Sequence, residues 1–556
     1  MEDHSMTSEY IHTPHPGTGP RRLGTVIGGS HSSGVDVKVD GDSSIEDIRV
    51  GSHVTIRSTS TRFFGMITDV SLKSTDPSLA SQTQHSSNQL FIEILAGTTA
   101  YGVFKVRPRL VLPNVLGGNS EMLSKVRSVP VHFSPVIEAS EADYATVFGQ
   151  EDGRHFWIGS PLDIETKICL DMNTFVQRSN GVFGKSGTGK SFLTRLLLAG
   201  IIQKTDAVSL IFDMHNDHGW QGRDRERGLR PKGLKQLFPS RVTIFTLDAQ
   251  SSLRRGVQFE SEIQIPYADI EPEDVELLAS TLNITDNGVQ AVYRLARHLG
   301  RQWLKKFLEF SNAKDLNSLA EEIHEAPSTL SALRRRLERL ERMPYLTKDS
   351  LADPLGSILD FLQRGTHIVL EFGDHRSLAD YILVSNLLTR RIREKYIQWT
   401  QRAATTNQSE PRPLVICIEE AHAFLDSSIG AETTFGAIAR EDRKNNITLM
   451  VVDQRPSSLD PDVISQIGTR IIYPLDNDRD IASALSGAPD SGELRGVLAG
   501  LDAQQQALVF GYAVPTPIVV KVREYGSPDS YRQLVDSAMY SASSSYDEKG
   551  RDLLFP

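Results

Sequence analysis

One short segment constrains the fold of its surroundings more than any other. Residues 184–191 read Gly-Lys-Ser-Gly-Thr-Gly-Lys-Ser, which fits the pattern G-x-x-x-x-G-K-[ST] in full. An apolar, strand-like run ends at Phe183 and a helical pattern of apolar residues follows. A chance glycine-rich turn is the alternative, but the Lys-Ser pair and both flanks disfavour it. The segment therefore predicts a P-loop, the phosphate-binding turn of an α/β domain.

The chemistry of a bound triphosphate explains the residue types in this turn. Glycines let backbone N–H groups point inward at the phosphates, and the helix that follows adds the positive end of its dipole. We expect Lys190 to reach the β- and γ-phosphates and the Ser191 hydroxyl to bind Mg²⁺. The predicted nucleotide-binding residues are Gly184, Ser186, Gly187, Thr188, Gly189, Lys190, Ser191 and Phe192.

Two later strand-like runs end on polar residues that suit triphosphate hydrolysis. Glu419 and Glu420 follow the apolar run 414–418, and Gln454 follows the run 447–452. The carboxyl ends of parallel strands face the ligand crevice. We expect Glu419 to hold Mg²⁺, Glu420 to polarise the attacking water and Gln454 to sense the γ-phosphate. A solvated strand end, or an N-cap for Gln454, is the alternative.

Two arginines before the second of these runs are candidates for charge stabilisation. Arg440 and Arg443 lie in the sequence Ala-Arg-Glu-Asp-Arg-Lys-Asn-Asn. A guanidinium inserted at the γ-phosphoryl stabilises the charge that develops during transfer. In ring ATPases this group usually comes from the adjoining subunit. Arg443 is the first choice and Arg440 the second, and a solvated helix end is the alternative for each.

The pattern of the remaining chain indicates two folded parts between two tails. Residues 1–22 carry no periodicity and predict a mobile tail. Short β-like runs separated by turn residues fill 23–150 and predict a small closed or half-closed β-barrel. Buried, strand-like runs alternate with helical ones over 151–526, with a helical insert at 270–345, and predict an α/β domain. A terminal hairpin closes this domain, and 527–556 reads as a second tail.

Composition narrows the class of protein. Hydrophobic residues make up 39% of the 556 residues and charged residues 23%, the balance of a folded globular protein. No apolar run approaches the ~20 residues of a transmembrane helix, and the first residues lack the apolar core of a secretory signal. The chain holds two cysteines, Cys169 and Cys417, and this indicates no disulfide framework. We therefore expect a cytoplasmic protein without membrane association.

A basic loop is the candidate contact with nucleic acid. The net charge of −10 excludes a uniformly basic surface but leaves room for a local basic channel. Such a loop would bind backbone phosphates without sequence preference. Pairing of its arginines with Asp224 and Glu226 is the alternative. The basic residues of this loop, within 220–238, are Arg223, Arg225, Arg227, Arg230, Lys232 and Lys235.

Taken together, four strings resemble one family. They are the P-loop, Phe-Asp-Met-His-Asn-Asp-His-Gly at 212–219, Ile-Glu-Glu-Ala-His-Ala-Phe at 418–424, and the run from Arg440 to Leu459. This set is similar to the HerA-type ATPases of the HerA–FtsK superfamily, in their bacterial type, and the resemblance covers roughly residues 20–525. It assigns Walker A roles to Lys190 and Ser191, Walker B roles to Glu419 and Glu420, and the sensor role to Gln454. Asp213 and His215 would shape the nucleotide pocket.

The resemblance implies a fold, an activity and partners. The fold would be a RecA-like P-loop (ASCE) motor domain with an inserted helical subdomain, preceded by a HAS barrel. The activity would be ATP- and Mg²⁺-dependent translocation of a homohexamer on double-stranded DNA. The partner would be a nuclease of the NurA type, or a sirtuin-like or nuclease effector, docked on the N-terminal barrel. DNA end processing and anti-phage defence are both possible settings.

Two other functions stay open on the sequence alone. The first is an ATPase ring that assembles and gates a partner effector and unwinds little DNA itself. The second is a monomeric P-loop kinase, which would carry a lid of clustered arginines. Stimulation of ATP hydrolysis by DNA favours the motor, stimulation only by a partner protein favours the gate, and size-exclusion chromatography tests the kinase.

Overall fold

The structure is a computed structural model that describes most of the chain. The described residues are 19–41, 43–74, 100–113, 123–222, 230–310, 312–349, 353–406, 409–426, 433–502 and 505–535. The chain divides into two compact units, Met1–Val147 and Phe148–Pro556. The two predicted tails lie largely outside the described residues, and the domain limits given above stay predictions.

The first unit consists of antiparallel strands and the start of one helix. Its strands are β1 (Arg22–Ser30), β2 (Gly34–Val39), β3 (His53–Arg57), β4 (Arg62–Ser74), β5 (Ala100–Leu112), β6 (Ser124–Lys125) and β7 (Pro135–Glu138), and the helix is α1 (Glu141–Phe148).

These strands close into the barrel that the sequence predicts. Their order is β2-β1-β7-β3-β4-β5-β6, and a further pairing of β2 with β5 closes a ring of six strands. Alternate residues point into a core that includes Val37, Val54 and Phe104, each fully buried. Strands β4 and β5 are longer than expected, and register shifts near Phe64 and Ile67 bend them around the barrel.

Strand β4 extends into a segment whose sequence is not strand-like. The polar run 71–89 predicts a long loop, but β4 continues through Ser74, where Leu72 and Lys73 pair with β5. The apolar run 90–100 predicts a further strand, and this run lies outside the described residues except for Ala100, which belongs to β5.

The second unit contains a large mixed sheet and many helices. Its strands are β8 (His155–Ser160), β9 (Ile168–Asp171), β10 (Asn180–Phe183), β11 (Val208–Asp213), β12 (Val242–Thr246), β13 (Ile265–Pro266), β14 (Leu346–Thr347), β15 (His367–Glu371), β16 (Leu414–Glu419), β17 (Ile447–Asp453), β18 (Thr469–Ile472), β19 (Gln506–Gly511) and β20 (Ile518–Val522).

The helices of this unit cover both faces of the sheet and form the insert. They are α2 (Met172–Val176), α3 (Lys190–Lys204), α4 (Leu234–Leu237), α5 (Ala249–Arg254), α6 (Pro272–Leu277), α7 (Ala279–Leu282), α8 (Asp286–Leu299), α9 (Trp303–Glu309), α10 (Ala313–Glu322), α11 (Pro327–Leu337), α12 (Pro354–Gln363), α13 (Leu378–Thr406), α14 (His422–Leu425), α15 (Thr434–Glu441), α16 (Pro461–Gln466), α17 (Asp478–Ala484) and α18 (Ser491–Ala499). Short 3-10 turns lie at Ile45–Asp47 in the first unit and at Tyr267–Asp269, Gly300–Gln302, Leu340–Arg342, Asp442–Asn445 and Pro456–Ser458 in the second.

Strand order places the P-loop strand inside the sheet. The order is β12-β15-β11-β16-β17-β10-β18-β19-β20-β8-β9. Neighbours from β12 to β18 pair in parallel, and every residue of these seven strands is buried. The continuous apolar runs of the sequence are therefore explained by burial on both faces, and the predicted α/β fold is confirmed.

The sheet extends beyond its parallel part by two antiparallel hairpins. The predicted terminal hairpin, β19–β20, joins β18, and β8–β9 joins β20. The sequence pattern does not predict the sheet positions of β8 and β9. The predicted C-terminal tail also differs, because residues 528–535 are helical and Leu534 is fully buried. Tyr531 packs edge to face on Tyr525, at 5.7 Å between ring centroids.

The helical insert follows the prediction. Between β12 and β15, helices α6 to α11 occupy residues 272–337 and the short strands β13 and β14 pair at the base of the insert. Both cysteines are buried and free. Within the described residues, every helix falls short of the length and apolarity that crossing a bilayer requires.

Candidate functional site

The P-loop connects the end of β10 to the start of α3. Gly184, Gly187 and Gly189 have φ angles of 157°, 80° and 101°, which L-residues with side chains rarely adopt. A Cβ on Gly184 would lie 2.5 Å from the Cβ of Tyr473. Two independent constraints, backbone conformation and close packing, therefore require glycine here.

Lys190 begins α3 and has its side chain folded back on the loop. Its Nζ donates to the carbonyl oxygens of Gly184, at 2.7 Å, and Lys185, at 2.8 Å. Burial lowers the pKa of Lys190 below its usual value, although the carboxylates of Glu420 and Asp453 oppose this. The ammonium group is thus held over the loop beside two negative charges, where a phosphate would sit.

Four adjacent parallel strands each end on a carboxylate. Strands β15, β11, β16 and β17 end at Glu371, Asp213, Glu419 and Asp453, and Asp453 lies beside Phe183 at the end of β10. Registered pairing of these strands brings their carboxyl ends to one edge of the sheet. The edge would be strongly negative without compensating groups.

The two carboxylates farther from the P-loop are both hydrogen-bonded within the protein. Glu371 accepts a hydrogen bond of 2.5 Å from Nη2 of Arg255. Burial raises the pKa of Glu371 to about 7, and the nearby Asp213 adds to this effect. Asp213 instead accepts hydrogen bonds from the backbone N–H groups of residues 217–219, at 2.7–3.0 Å. Asp213 therefore fixes the loop after β11.

The two carboxylates nearer to the P-loop are each paired with a histidine. Nε2 of His218 lies 3.0 Å from Oε1 of Glu419, and Nδ1 of His422 lies 3.0 Å from Oδ2 of Asp453. Burial alone would raise the pKa of Glu419, but the charge and hydrogen bond of His218 lower it to about 2. The hydrogen bond to Asp453 raises the pKa of His422 above its usual value. Glu419 is therefore ionised and held in place.

Glu420 and Gln454 come together across the ends of β16 and β17. Nε2 of Gln454 donates to Oε1 of Glu420 at 3.1 Å. Glu420 has a φ of 47°, in the left-handed region that non-glycine residues seldom occupy. Strained backbone of this kind persists where the surrounding structure holds a side chain in a required direction.

These groups surround one cavity of about 700 Å³. Residues 186–192 of the P-loop and α3 line it, together with Glu419, Glu420 and Gln454. Gly184 lies behind this lining, against Tyr473. The predicted phosphate-binding, metal-binding and water-polarising residues thus share one site, and their roles remain predictions.

The two candidate arginines lie elsewhere in the same chain. Arg440 is on α15, and Arg443 is exposed in the 3-10 turn that precedes β17. Because Asp453 at the other end of β17 borders the cavity, both arginines lie toward the opposite edge of the sheet. Neither arginine lines the cavity of its own chain.

Some groups at the site were not identified from the sequence. His218 carried no signal beyond its place in the 212–219 string, whereas His422 stands in the Glu-Glu-Ala-His string. Arg195 is buried, lines the cavity and lies over the rings of Phe192 and Tyr525, at 5.1 and 5.6 Å from the ring centroids. Tyr525 follows the terminal hairpin and lines the cavity. One wall of the cavity therefore comes from a segment more than 300 residues after the P-loop.

The predicted basic loop is described only in part. Residues 223–229, with Arg223, Arg225 and Arg227, lie outside the described residues. Arg230 and Lys232 are exposed. Nζ of Lys235 donates to the carbonyl oxygens of Pro239 and Val242, both at 2.8 Å. The sequence predicts that Lys235 binds nucleic-acid phosphates. Its side chain instead folds over the end of α4, and its ammonium group binds these carbonyl oxygens.

Two known families match parts of the chain, one in each unit. The family described as "Helicase HerA, central domain" matches residues 156–392, and the family described as "HAS barrel domain" matches residues 23–93. A relative from Pyrococcus furiosus, named "DNA double-strand break repair helicase HerA", is 23% identical, covering 74% of this chain and 79% of its own length. One of the same name from Sulfolobus acidocaldarius is 24% identical, covering 86% and 90%. Both relatives are archaeal, so the bacterial type stays a prediction.

A solved structure overlaps more loosely. The VirB4 structure from Thermoanaerobacter pseudethanolicus is 15% identical, with a TM-score of 0.43, covering 68% of this chain and 99% of that one. This overlap is too weak to bear on function. The P-loop, the carboxylate-tipped parallel strands and the closed barrel agree with these two family matches: residues 156–392 match the HerA central-domain family, and residues 23–93 match the HAS-barrel family.

Proposed function

We propose that the protein is a homohexameric, ATP-driven translocase of double-stranded DNA. The observation that carries this is the division of the catalytic groups between the two edges of one sheet. The P-loop and the acidic groups border the cavity, while Arg443 is exposed toward the opposite edge. A ring in which one copy presents its arginine to the next copy's cavity completes the site. The relatives named double-strand break repair helicases support DNA as the substrate.

The residues of the cavity suit hydrolysis of ATP. The P-loop N–H groups would bind the phosphates, and Lys190 would exchange its two carbonyl partners for phosphate oxygens. Glu420, held by Gln454, would accept the proton of the attacking water. Gln454 could then turn from Glu420 to the γ-phosphate when ATP is bound.

The site also fits Mg²⁺. Ser191 offers a hydroxyl and Glu419 an ionised carboxylate, both on the cavity lining, and hard divalent cations prefer such oxygen ligands. When bound, the ion would neutralise the phosphate charge that this acidic edge of the sheet would otherwise repel. Ser191 and Glu419 are therefore the residues we expect to hold it.

A mixing experiment tests the arginine. We expect Arg443→Ala and Lys190→Ala to be inactive separately, and an equal mixture to recover about a quarter of the parental ATPase rate, because that share of heterologous interfaces carries both intact groups. Arg440→Ala is mixed in the same way, to decide between the two arginines. Arg336→Ala, which removes an exposed arginine of the insert, serves as the control.

Recovery near zero for both arginines, with rings formed, would show that neither acts between subunits. A monomer of full activity in size-exclusion chromatography would exclude the ring itself.

A second experiment tests DNA. Double-stranded DNA should stimulate ATP hydrolysis severalfold whatever its sequence, and binding should weaken steeply with salt because backbone phosphates supply the affinity. Changing both Arg230 and Lys232 to Gln should reduce the slope of log K against log salt by about 2, since each cation accounts for about 1. Lys314→Gln, in the helical insert, should leave the slope unchanged. Salt-insensitive binding, or a strong base preference, would contradict a DNA translocase.

One observation favours the gating ring as a second candidate. Val129, Val131 and Phe133 of the barrel unit are 45%, 53% and 77% exposed. Exposed apolar side chains in series are typical of docking surfaces. We propose this segment as the contact for a partner nuclease of the NurA type or a sirtuin-like effector. Stimulation of ATP hydrolysis by such a partner, and not by DNA, would favour gating over translocation.

A further inference from the structure

We propose that His218 is a positioning residue for ATP hydrolysis, which holds the Glu419 carboxylate by one oxygen so that the other faces the metal and nucleotide. His218 does not contact the nucleotide itself. The inference rests on the proposed ATP hydrolysis but not on DNA binding.

The contact lies at the boundary between the core and the cavity. The side chain of His218 is 0% exposed and that of Glu419 is 10% exposed. Nε2 of His218 is 3.0 Å from Oε1 of Glu419, and Glu419 lines the cavity while His218 does not. Because an ionised carboxylate can only accept, Nε2 is the donor. The histidine thus supports Glu419 from the core side.

The backbone of His218 is itself held from two sides. Its N–H donates to Oδ2 of Asp213 at 2.7 Å, and its carbonyl oxygen accepts from the N–H of Leu234 at 2.9 Å. The backbone of Glu419 is fixed as well, because the hydroxyl of Tyr381 accepts from its N–H and donates to its carbonyl oxygen. With both backbones held, the imidazole determines the direction of the Glu419 carboxylate.

The second ring nitrogen of His218 makes no compensating contact within the described part of the chain. Nδ1 of His218 is buried and has no hydrogen-bond partner among the described residues. A buried polar atom without a partner costs stability. If this side chain only filled space, an apolar residue of similar size would do so without that cost. The histidine is therefore better explained by its contact with Glu419. Groups that support a metal ligand in this way change metal affinity or activity about 10–100-fold when they are removed.

The test compares two variants with the parent by their affinity for Mn²⁺, which replaces Mg²⁺ as a paramagnetic probe. His218→Leu fills the space without a donor, and His218→Gln keeps an N–H donor. Mn²⁺ binding is measured by electron paramagnetic resonance in the full-length protein with a non-hydrolysable ATP analogue. We expect the Leu variant to bind Mn²⁺ about 10–100-fold more weakly and the Gln variant to recover most of the affinity. ATP affinity without metal should stay within about threefold of the parent, since the P-loop is unchanged.

Steady-state kinetics give a second readout. His218→Leu should raise the KM for metal-bound ATP in step with the weaker Mn²⁺ binding, because the metal and the nucleotide are bound as one complex. It should also lower kcat, because the misdirected carboxylate no longer supports the transition state. His218→Asn, whose shorter amide does not reach Glu419, replaces the Leu variant if that one does not fold.

A matched pair elsewhere supplies the control. His298 lies on α8 with its Nε2 3.0 Å from Oε2 of Glu322, and both side chains are largely exposed. His298→Leu removes the same type of contact at the same distance, outside the cavity lining, and should change neither readout.

Parental Mn²⁺ affinity in a folded Leu or Asn variant would overturn the inference. So would a Gln variant as weak as the Leu variant, because the hydrogen bond would then not be what matters. A parent whose ATP hydrolysis does not respond to DNA would contradict the translocase and leave this inference intact.

Discussion

Lys190→Ala is expected to lower the rate of ATP hydrolysis by about 10²–10³-fold, the loss typical when one preorganised donor to a developing oxyanion is removed. Nζ of Lys190 is half-buried above the P-loop and donates to two main-chain carbonyl oxygens, so it is already placed where phosphate oxygens would bind. Alanine also leaves those carbonyl oxygens facing the phosphates without a cation. Nucleotide binding should weaken with hydrolysis, and both are measured, by fluorescence titration and phosphate release.

The neighbouring lysine gives a matched control for this change. Lys185 lies in the same loop, but its ammonium pairs with Asp476 at 3.0 Å and its side chain is 41% exposed. Lys185→Ala keeps the main-chain carbonyl that Lys190 uses, and we expect it to retain most of the parental rate. Equal losses in the two variants would mean that loop charge, and not the contact of Lys190, supports hydrolysis.

The sequence predicted those site residues that stand in a short motif or directly after an apolar run. The P-loop requires glycines at fixed spacing, and Gly184 and Gly189 do have positive φ angles. Glu419, Glu420 and Gln454 were found because each follows a continuous apolar run, and the runs are parallel strands whose carboxyl ends share one edge. Hydrophobic pattern and chain direction therefore determined which side chains meet.

No short motif or apolar run marks the cationic groups that pair with the carboxylates at the ends of the parallel strands. His218 is 201 residues from Glu419, and Arg255 is 116 residues from Glu371. A histidine or arginine in a polar segment is compatible with many positions, so only the folded sheet shows which carboxylate it pairs with. The same reason explains Lys235, which belonged to a basic run by composition but has its ammonium on nearby carbonyl oxygens.

The sequence predicts the strands of the C-terminal hairpin but not that this hairpin forms a wall of the cavity. The pattern of a single strand does not determine its position in the sheet. Because β19 and β20 continue the sheet beyond β18, Arg523 and Tyr525 reach the cavity that the P-loop begins.

Glu420→Gln should lower ATP hydrolysis by about 10²–10⁴-fold, the usual contribution of a general base, while ATP still binds. The change keeps the size and shape of the side chain and removes the negative charge that polarises water. Gln454 can still donate to the amide oxygen that replaces Oε1, so the local geometry should persist. ATP affinity, measured by fluorescence titration, should equal that of the parent or exceed it, because a charge near the phosphates is lost.

A comparison between the two adjacent glutamates decides whether Glu420 is the base. Glu419 pairs with His218, whereas Glu420 accepts from Gln454 and is 31% exposed in the cavity. Glu419→Gln should therefore raise the Mg²⁺ concentration needed for hydrolysis, whereas Glu420→Gln should not respond to added Mg²⁺. Glu273→Gln, on the surface of the insert, provides the control for loss of charge alone. If Glu420→Gln turned over ATP at the parental rate while Glu419→Gln did not, the water would be activated by the buried glutamate, and the left-handed backbone at Glu420 would need another explanation.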